Sequence, residues 1–277
     1  MGCGDEKSKW DDNAVQDSLA GKNTELTPEL KAEFERMMPE VERAREEKME
    51  RFIESSEREH YENLPPDAKQ EEPMATREEI STRNEIAKEI GMNREERDFL
   101  PITAGLTKEE TKETIEFLHT GKIPIECWNN GDKVWKIAYI DRPGPGRMLA
   151  STPVPSEHPS KPKSMIAETI TIYQNEKGER PTREERNLKI AHEVYHRNEP
   201  EFMEILSYHS KEWERACQTQ LQKGPVSKYS VEDYNKSDVQ FNPEFQAEHY
   251  KHWATDTPGL CQEMYNFFDQ NFPKRVA

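Results

Sequence analysis

The chain has 277 residues, of which 32% are hydrophobic and 34% are charged, and its formal net charge is −16. This composition is too poor in apolar residues for one large core, and it favours several thin amphipathic helices that also bury their apolar faces on partners. The negative charge disfavours binding to nucleic acid, and without an apolar run of about 18 residues no membrane span is predicted.

The N-terminal segment, residues 1–25, is polar and is predicted to be flexible. Gly2 can accept a myristoyl group once the initiator methionine is removed, and the neighbouring Cys3 can accept a palmitoyl group. Two acyl chains together hold a protein stably at a membrane. Glu6 occupies a position where the myristoylation motif has Ser or Thr, so an ordinary N-terminus is the alternative interpretation.

Residues 26–66 are predicted to form one charged amphipathic helix. Thr27 and Pro28 are typical of the N-cap and first position of a helix, and Pro39 is expected to kink or restart it. An apolar stripe along this helix is interpreted as a packing face, with a short coiled-coil seam as the alternative. The stripe consists of Leu30, Phe34, Met37, Val41, Ala44, Met49 and Phe52.

Residues 74–121 are predicted to form short capped helices. Each start carries a capping box, in which a Thr or Asn side chain and a glutamate three positions later bond each other's backbone amides. The acidic residues also suit the positive end of the helix dipole. The same form occurs once more in the C-terminal region, and the four boxes begin at Thr76, Asn93, Thr107 and Thr182.

Residues 122–180 are predicted to form a small antiparallel β unit. Asn130 and Gly131 lie between two β-prone runs, which is a strong hairpin signal. Residues 167–173 are predicted to be a third strand, and the proline-rich stretch 143–163 is predicted to be an irregular connector. The expected fold is therefore mainly α with a small antiparallel β unit, of the α+β class.

Residues 181–277 are predicted to be helical. One helix is predicted from 182 to 197, and a further capping box at Asn198 is predicted to start the next. Two later helix starts are predicted at Asn242-Pro243-Glu244 and at Thr257-Pro258. Large apolar side chains in this region are predicted to dock on the β unit or on a protein partner. The chief docking residues are Trp213, Phe267 and Phe268.

The string His192-Glu193-Val194-Tyr195-His196 places two histidines one helical turn apart. Over these five residues the chain resembles the zincin metallopeptidases. The resemblance implies that His192 and His196 bind zinc and that Glu193 is the general base. A predicted strand just upstream, at residues 167–173, agrees with the arrangement in that family.

The third zinc ligand that this resemblance requires is not evident from the sequence. No histidine follows His196 at the metzincin spacing. Glu212 and Glu214 are candidates by analogy with the glutamate-zincins, although neither lies in the Asn-Glu-x-x-Ser-Asp pattern of that family. On a helical projection, both histidines of the motif fall on a charged flank beside the apolar face. That position favours a structural or surface role over a metal site.

The remaining histidines add little to the case for chemistry. His209 lies in an apolar helical stripe and is predicted to be a core or interface residue. His249 and His252, three positions apart, could share a metal, but their aromatic neighbours favour a packing patch. His209 and Cys217 lack the orienting partner that nucleophilic catalysis needs.

The sequence as a whole favours a non-enzymatic structural or adaptor protein, an accessory subunit of a larger intracellular assembly such as a cytoskeletal or ciliary one. Its predicted partners are proteins, and no cofactor is predicted. Four widely spaced cysteines without a CxxC pair indicate free thiols, so the cytoplasm is predicted, with membrane contact through the acyl chains. The alternative is a zinc-dependent hydrolase that uses His192, Glu193 and His196.

Overall fold

The computed structural model describes residues 28–63, 73–130, 133–144, 150–151, 166–227 and 239–274. The chain divides into two units, Met1–Met49 and Glu50–Ala277. The described part of the first unit is helical throughout. Gly2 and Cys3, the predicted acylation sites, lie outside the described residues.

Helix α1 spans Pro28–Asn63 and includes Pro39. The predicted apolar stripe is not buried at Val41 or Phe52, which are 52% and 53% exposed. The chain itself therefore leaves these two side chains uncovered, and their packing on a partner stays a prediction. In the second unit, a different set of α1 residues is buried. This set includes polar side chains, since the buried carboxylate of Glu57 forms an ion pair with Lys136 of the sheet. The set consists of Ile53, Ser56 and Glu57.

The described elements of the second unit after α1 are mostly helices, in agreement with the predicted mainly α class. Two short 3-10 turns, Ile125–Trp128 and Val239–Phe241, lie among them. The order along the chain is α2 (Arg77–Glu89), α3 (Arg94–Asp98), β1 (Ile102–Ala104), α4 (Lys108–Thr120), β2 (Asn129–Asn130), β3 (Lys133–Ile140), β4 (Ala150–Ser151), β5 (Ile166–Tyr173), α5 (Arg183–Arg197), α6 (Glu199–Tyr208), α7 (Ser210–Lys223), α8 (Pro243–Ala254) and α9 (Gln262–Asn271).

The sheet has the strand order β1-β3-β5-β4, and β2 pairs with β3 outside this path. Its three main strands, β1, β3 and β5, run parallel, with Ile102 beside Lys136 and Ile137 beside Ile170. The predicted antiparallel unit is therefore wrong for these strands. The physical reason is that parallel strands need a long crossover connection: residues 141–165 connect β3 to β5, and α4 lies in the connection from β1 to β3.

Antiparallel pairing is confined, among the described strands, to the two-residue strands β2 and β4. Of the predicted Asn-Gly hairpin, the described strands contain the short antiparallel β2–β3 pair, in which Asn130 lies beside Lys133. Most of the residues before it form a 3-10 turn instead of a strand.

The four predicted capping boxes are confirmed. In each, the first side chain accepts a hydrogen bond from the amide three positions later, and the glutamate there accepts from the first amide. The boxes start α2, α3, α4 and α5 because both partners of each pair lie within one helical turn.

Of two other predicted helix starts, the one at Asn198 is confirmed but lacks the predicted capping box, and the one at Thr257 is wrong. Asn198 does precede α6, but its side chain makes no cap bond and instead donates to the carbonyl of Val194 at 2.8 Å. Its backbone is not extended, so the side chain turns back towards the end of α5. Thr257 does not open a helix; α9 begins after Cys261, whose sulfur accepts from the amide of Met264.

Three helix starts meet at Gly105. The carboxylate of Glu79, in the box of α2, accepts from the amide of Gly105 at 2.7 Å. The carbonyl of Gly105 accepts from Arg180 at 3.0 Å, and Arg180 also pairs with Glu110 in the box of α4. Gly105 has a φ of +70°, and a Cβ there would collide with the carbonyl of Tyr139. Glycine is therefore required at this junction.

The hydrophobic core is one connected cluster that joins the sheet to the helices around it. Trp213, Phe267 and Phe268 are buried members of this core. These predicted docking residues are therefore covered by the chain itself and offer no exposed surface to a partner. None of the described helices combines the length and the apolar character needed to cross a membrane.

Candidate metal centre

Helices α5 and α8 pack against each other and bring polar side chains together at one edge of their contact. His192 and His196 lie one turn apart on α5, and their side chains are 16% and 22% exposed. Helix α8 begins beside them. The side chain of Asn242 accepts from the amide of Glu244, and Pro243 occupies the first helical position. This fixed helix start directs Glu244 towards the two histidines.

Three side chains converge on one point. Nε2 of His192 lies 3.1 Å from Nε2 of His196. The carboxylate oxygens of Glu244 lie 3.3 Å from these nitrogens, with Oε2 near His192 and Oε1 near His196. Because the side chain of Glu244 is 60% exposed, the group remains open to solvent on one side.

These three residues have the arrangement of a zinc site: with one ligand atom taken from each, all the atoms lie within 4.8 Å of one another. Ligand bonds of about 2.0 to 2.1 Å place neighbouring ligand atoms of a tetrahedron about 3.3 Å apart. At most one hydrogen bond can join the two ring nitrogens, whereas a single cation would satisfy both nitrogens and the carboxylate. Two imidazoles and one carboxylate are a ligand set that zinc favours, and they leave a fourth position for water or substrate.

The carboxylates control the protonation of this cluster in the metal-free protein. Burial alone would lower the pKa of His192, but interactions with Glu244 and Glu248 outweigh it and raise the pKa to about 9. The two histidines hold the pKa of Glu244 far below its usual range. A divalent cation would take the place of the proton that these carboxylates attract.

Glu248 lies behind His192. Its Oε1 is 3.3 Å from Nδ1 of His192, at ion-pair distance without the alignment of a good hydrogen bond. The same oxygen accepts from Lys251 at 2.5 Å, and Oε2 accepts from the hydroxyl of Ser227 at 2.6 Å. Burial opposes the ionisation of Glu248, but His192 and Lys251 outweigh it and lower its pKa. A carboxylate in this position orients a metal-binding histidine ring.

Glu193 provides a carboxylate beside the cluster. It follows His192 directly, and its side chain is buried. Its negative charge adds to the effects that raise the pKa of His192. A buried carboxylate next to a candidate metal ligand is suited to accept a proton from water.

The other candidate ligands lie apart from this cluster. Glu212 contacts His209, with 2.9 Å between Oε2 and Nδ1. Glu214 is exposed and lines a small cavity beside Trp213. Neither glutamate is the third ligand of the histidine pair.

His249 and His252 do not form a metal site with each other. Nδ1 of His249 lies 2.5 Å from the carbonyl of Phe245, and Nδ1 of His252 lies 3.0 Å from that of Pro258. Burial lowers the pKa of both, to about 4 for His249. These are neutral core histidines, as their aromatic neighbours had suggested.

Sequence reasoning missed Glu244 and Glu248. It placed His192 and His196 on a charged flank, and α8 covers that flank with carboxylates. The available signal was the spacing: two acidic residues four apart follow the predicted cap at Asn242, and they match two histidines four apart.

Comparison with known proteins assigns no family to the chain. No family model matches it, and neither the curated proteins nor the solved structures contain a significant match.

Proposed function

We propose that this chain is a metal-dependent hydrolase in which His192, His196 and Glu244 hold one zinc ion. The observation that supports the proposal is the convergence of the three side chains: the two ring nitrogens lie 3.1 Å apart, and each lies 3.3 Å from a different oxygen of Glu244. His192, Glu193 and His196 are also the residues that carry the resemblance to the zincins, and Glu244 supplies the ligand that the resemblance lacked.

Each residue of the centre has a role in this proposal. Zinc would polarise a substrate carbonyl and make water more acidic. Glu193 would accept the proton of the attacking water and later deliver it to the leaving group. Glu248 would hold the ring of His192 with Nδ1 protonated, which leaves Nε2 free to bind the metal.

The sheet edge next to α5 supports a peptide as the substrate. β4 lies at the outer edge of β5, with Ala150 beside Ile172, and it contacts α5. No described strand pairs with the outer side of β4. An extended peptide can add to such an edge through backbone hydrogen bonds, and this would lay it beside the helix that bears the histidines.

Metal analysis and peptide hydrolysis test the proposal together. Wild-type protein is expected to bind one zinc per chain, and His196→Ala and Glu244→Ala are each expected to lose it. Glu193→Gln is expected to keep zinc while hydrolysis of a peptide mixture falls by about 10² to 10⁴.

Glu212→Ala is the matched control, since Glu212 also contacts a histidine but lies outside the cluster. It should retain both zinc and activity. The proposal fails if reconstituted wild-type protein holds no stoichiometric zinc, or if Glu193→Gln is as active as wild type.

A structural or adaptor role in an intracellular assembly remains a second hypothesis. The exposed apolar side chains of Val41 and Phe52 on α1 favour it, because such residues are often covered by a partner. Recovery of a stable partner set from native extract would support it, and a monomer without partners would contradict it. Labelling with a myristate analogue, with Gly2→Ala as the control, tests membrane contact through Gly2 and Cys3.

A further inference from the structure

The face of α5 that bears the candidate ligands also bears a lysine. Lys189 precedes His192 by three positions and His196 by seven, which places the three side chains on one helix face. With a rise of about 1.5 Å per residue, the Cα of Lys189 lies about 4.5 Å along the axis from that of His192 and about 10 Å from that of His196.

The ammonium group of Lys189 is half-buried and makes no ion pair with a carboxylate among the described residues. Its hydrogen bond goes to the carbonyl of Tyr173, the last residue of β5, at 3.3 Å. Burial lowers its pKa to about 8, although the negative charge of Glu185 acts in the opposite direction. An ammonium has three donors, so this contact leaves capacity for another acceptor.

Other covered lysines of the second unit are paired differently. Three of them contact a carboxylate directly, and the pairs are Lys122 with Asp256, Lys136 with Glu57 and Lys251 with Glu248. Lys112 on α4 is also partly buried and has no carboxylate contact among the described residues, but it does not share a helix with the histidines. The chain has 55 acidic residues against 39 basic ones, so carboxylates are plentiful. Partial burial of an ammonium without such a partner costs free energy, and groups of this kind are concentrated at ligand sites.

We propose that Lys189 binds a carboxylate of the substrate, so that the site takes peptides with an acidic side chain or a terminal carboxylate a few residues from the cleaved bond. This inference rests on the proposed function, because the metal defines the point of cleavage. An extended peptide advances about 3.3 Å per residue, so the axial offsets correspond to roughly one to three residues. A peptide added outside β4 would run beside Ala150, which pairs with Ile172, the neighbour of Tyr173.

Binding of metal-directed probes to the zinc-loaded protein tests this inference. The probes are alanine peptides with a hydroxamate at either end, which binds zinc, and with one Glu or Gln placed one to four residues away. A second set compares a free with an amidated terminal carboxylate, which distinguishes the two sources of the charge. Calorimetry and zinc content are measured for wild type, Lys189→Met and Lys189→Arg.

At one position the acidic probe is expected to bind wild type about tenfold tighter than its neutral match. Lys189→Met should remove this preference with zinc content unchanged, and Lys189→Arg should keep part of it. Lys112→Met, which changes a lysine on α4, is the control and should behave as wild type.

Two negative results are distinguishable. If neutral hydroxamates bind but acidic ones gain nothing, or if the gain survives Lys189→Met, the role of Lys189 is overturned and the zinc centre stands. If the protein retains no zinc and binds no hydroxamate, the proposed function fails and this inference fails with it.

Discussion

Two of the places in the second unit where carboxylates contact basic side chains differ in construction. In the interior, Nζ of Lys136 lies 2.8 Å from Oε1 of Glu57, and both side chains are fully buried. At the surface, His192 and His196 share the carboxylate of Glu244, which is mostly exposed. The first contact joins one ammonium group to one carboxylate, whereas the second brings two imidazole rings to one carboxylate.

The difference indicates what each place still requires. Oε1 of Glu57 accepts from the amide of Ala75 as well as from Lys136, so the buried pair joins α1 to the sheet, and Oε2 of Glu57 has no hydrogen-bond partner among the described residues. The histidine centre leaves two ring nitrogens 3.1 Å apart beside solvent. In the proposed function, a cation would complete that arrangement. Ion pairs of the first kind support a fold, and clusters of the second kind recruit a ligand.

The largest expected effect is the loss of one partner of the buried pair. Lys136→Met is expected to lower the free energy of unfolding by about 3 to 5 kcal/mol, because the carboxylate of Glu57 stays buried without its partner. Urea denaturation followed by circular dichroism measures this loss. Adding Glu57→Gln should restore much of it, since an amide oxygen still accepts from Ala75. If the double variant is as unstable as the sum of the single ones, the two residues are not coupled.

Acid is expected to destabilise the fold through His249, which is fully buried, so that burial lowers its pKa to about 4. The folded state takes up the His249 proton only near pH 4, whereas the unfolded state takes it up near pH 6.5. This stability is therefore present above pH 6.5 and is lost as the pH falls to 4, by roughly 3 kcal/mol.

The comparison of His249→Asn with wild type between pH 7 and pH 4 checks this effect. The variant should lose less stability over that range than wild type. His209→Asn, which changes a histidine paired with Glu212 at the surface, serves as the control and should follow wild type. An identical pH slope in wild type and His249→Asn would contradict the prediction.

Zinc is expected to stabilise the protein through the surface cluster. At a free zinc concentration 100 times the dissociation constant, the free energy of unfolding should rise by about 2.7 kcal/mol. His196→Ala should show no such rise, and without zinc it should be nearly as stable as wild type because its side chain is partly exposed. Thermal unfolding with and without a chelator measures both. Equal stabilisation of the two proteins would place the zinc elsewhere.

The smallest of these effects concerns Glu248, which contacts the candidate ligand His192 without being a ligand itself. Glu248→Gln is expected to weaken zinc binding by about 10- to 100-fold, because the ring of His192 loses its charged acceptor. Competition with a zinc indicator dye gives the affinity. Glu204→Gln, at an exposed position on α6, should leave it unchanged.

Local chemistry was predicted well from the sequence, and long-range packing was not. The capping boxes at Thr76 and Thr107 could be predicted because every atom involved lies within one turn. The strand direction could not, since it depends on which strands the chain brings together after the crossover. Trp213 and Phe268 were identified as residues that need burial, but apolar character does not tell whether a partner or the chain itself covers them.

For the candidate site too, the contacts within one helix could be predicted, whereas the contacts between distant segments could not. His192, Glu193 and His196 occupy one helix, so their spacing alone indicates a metal site. Glu244 lies far along the chain, and its role depends on how α8 packs on α5. The helical projection predicted a charged flank, and the structure adds the carboxylates that turn this flank into a possible ligand set.

The junction at Gly105 has a consequence for how the molecule opens. Glu79 serves the start of α2 and the amide of Gly105 at once, and Arg180, just before α5, joins Gly105 to Glu110 at the start of α4. Fraying at one helix start removes a hydrogen-bond partner from the others. The three starts are therefore expected to exchange their amide hydrogens as one cooperative unit. The helix that bears the histidines thus shares its local opening with helices that precede it by many residues.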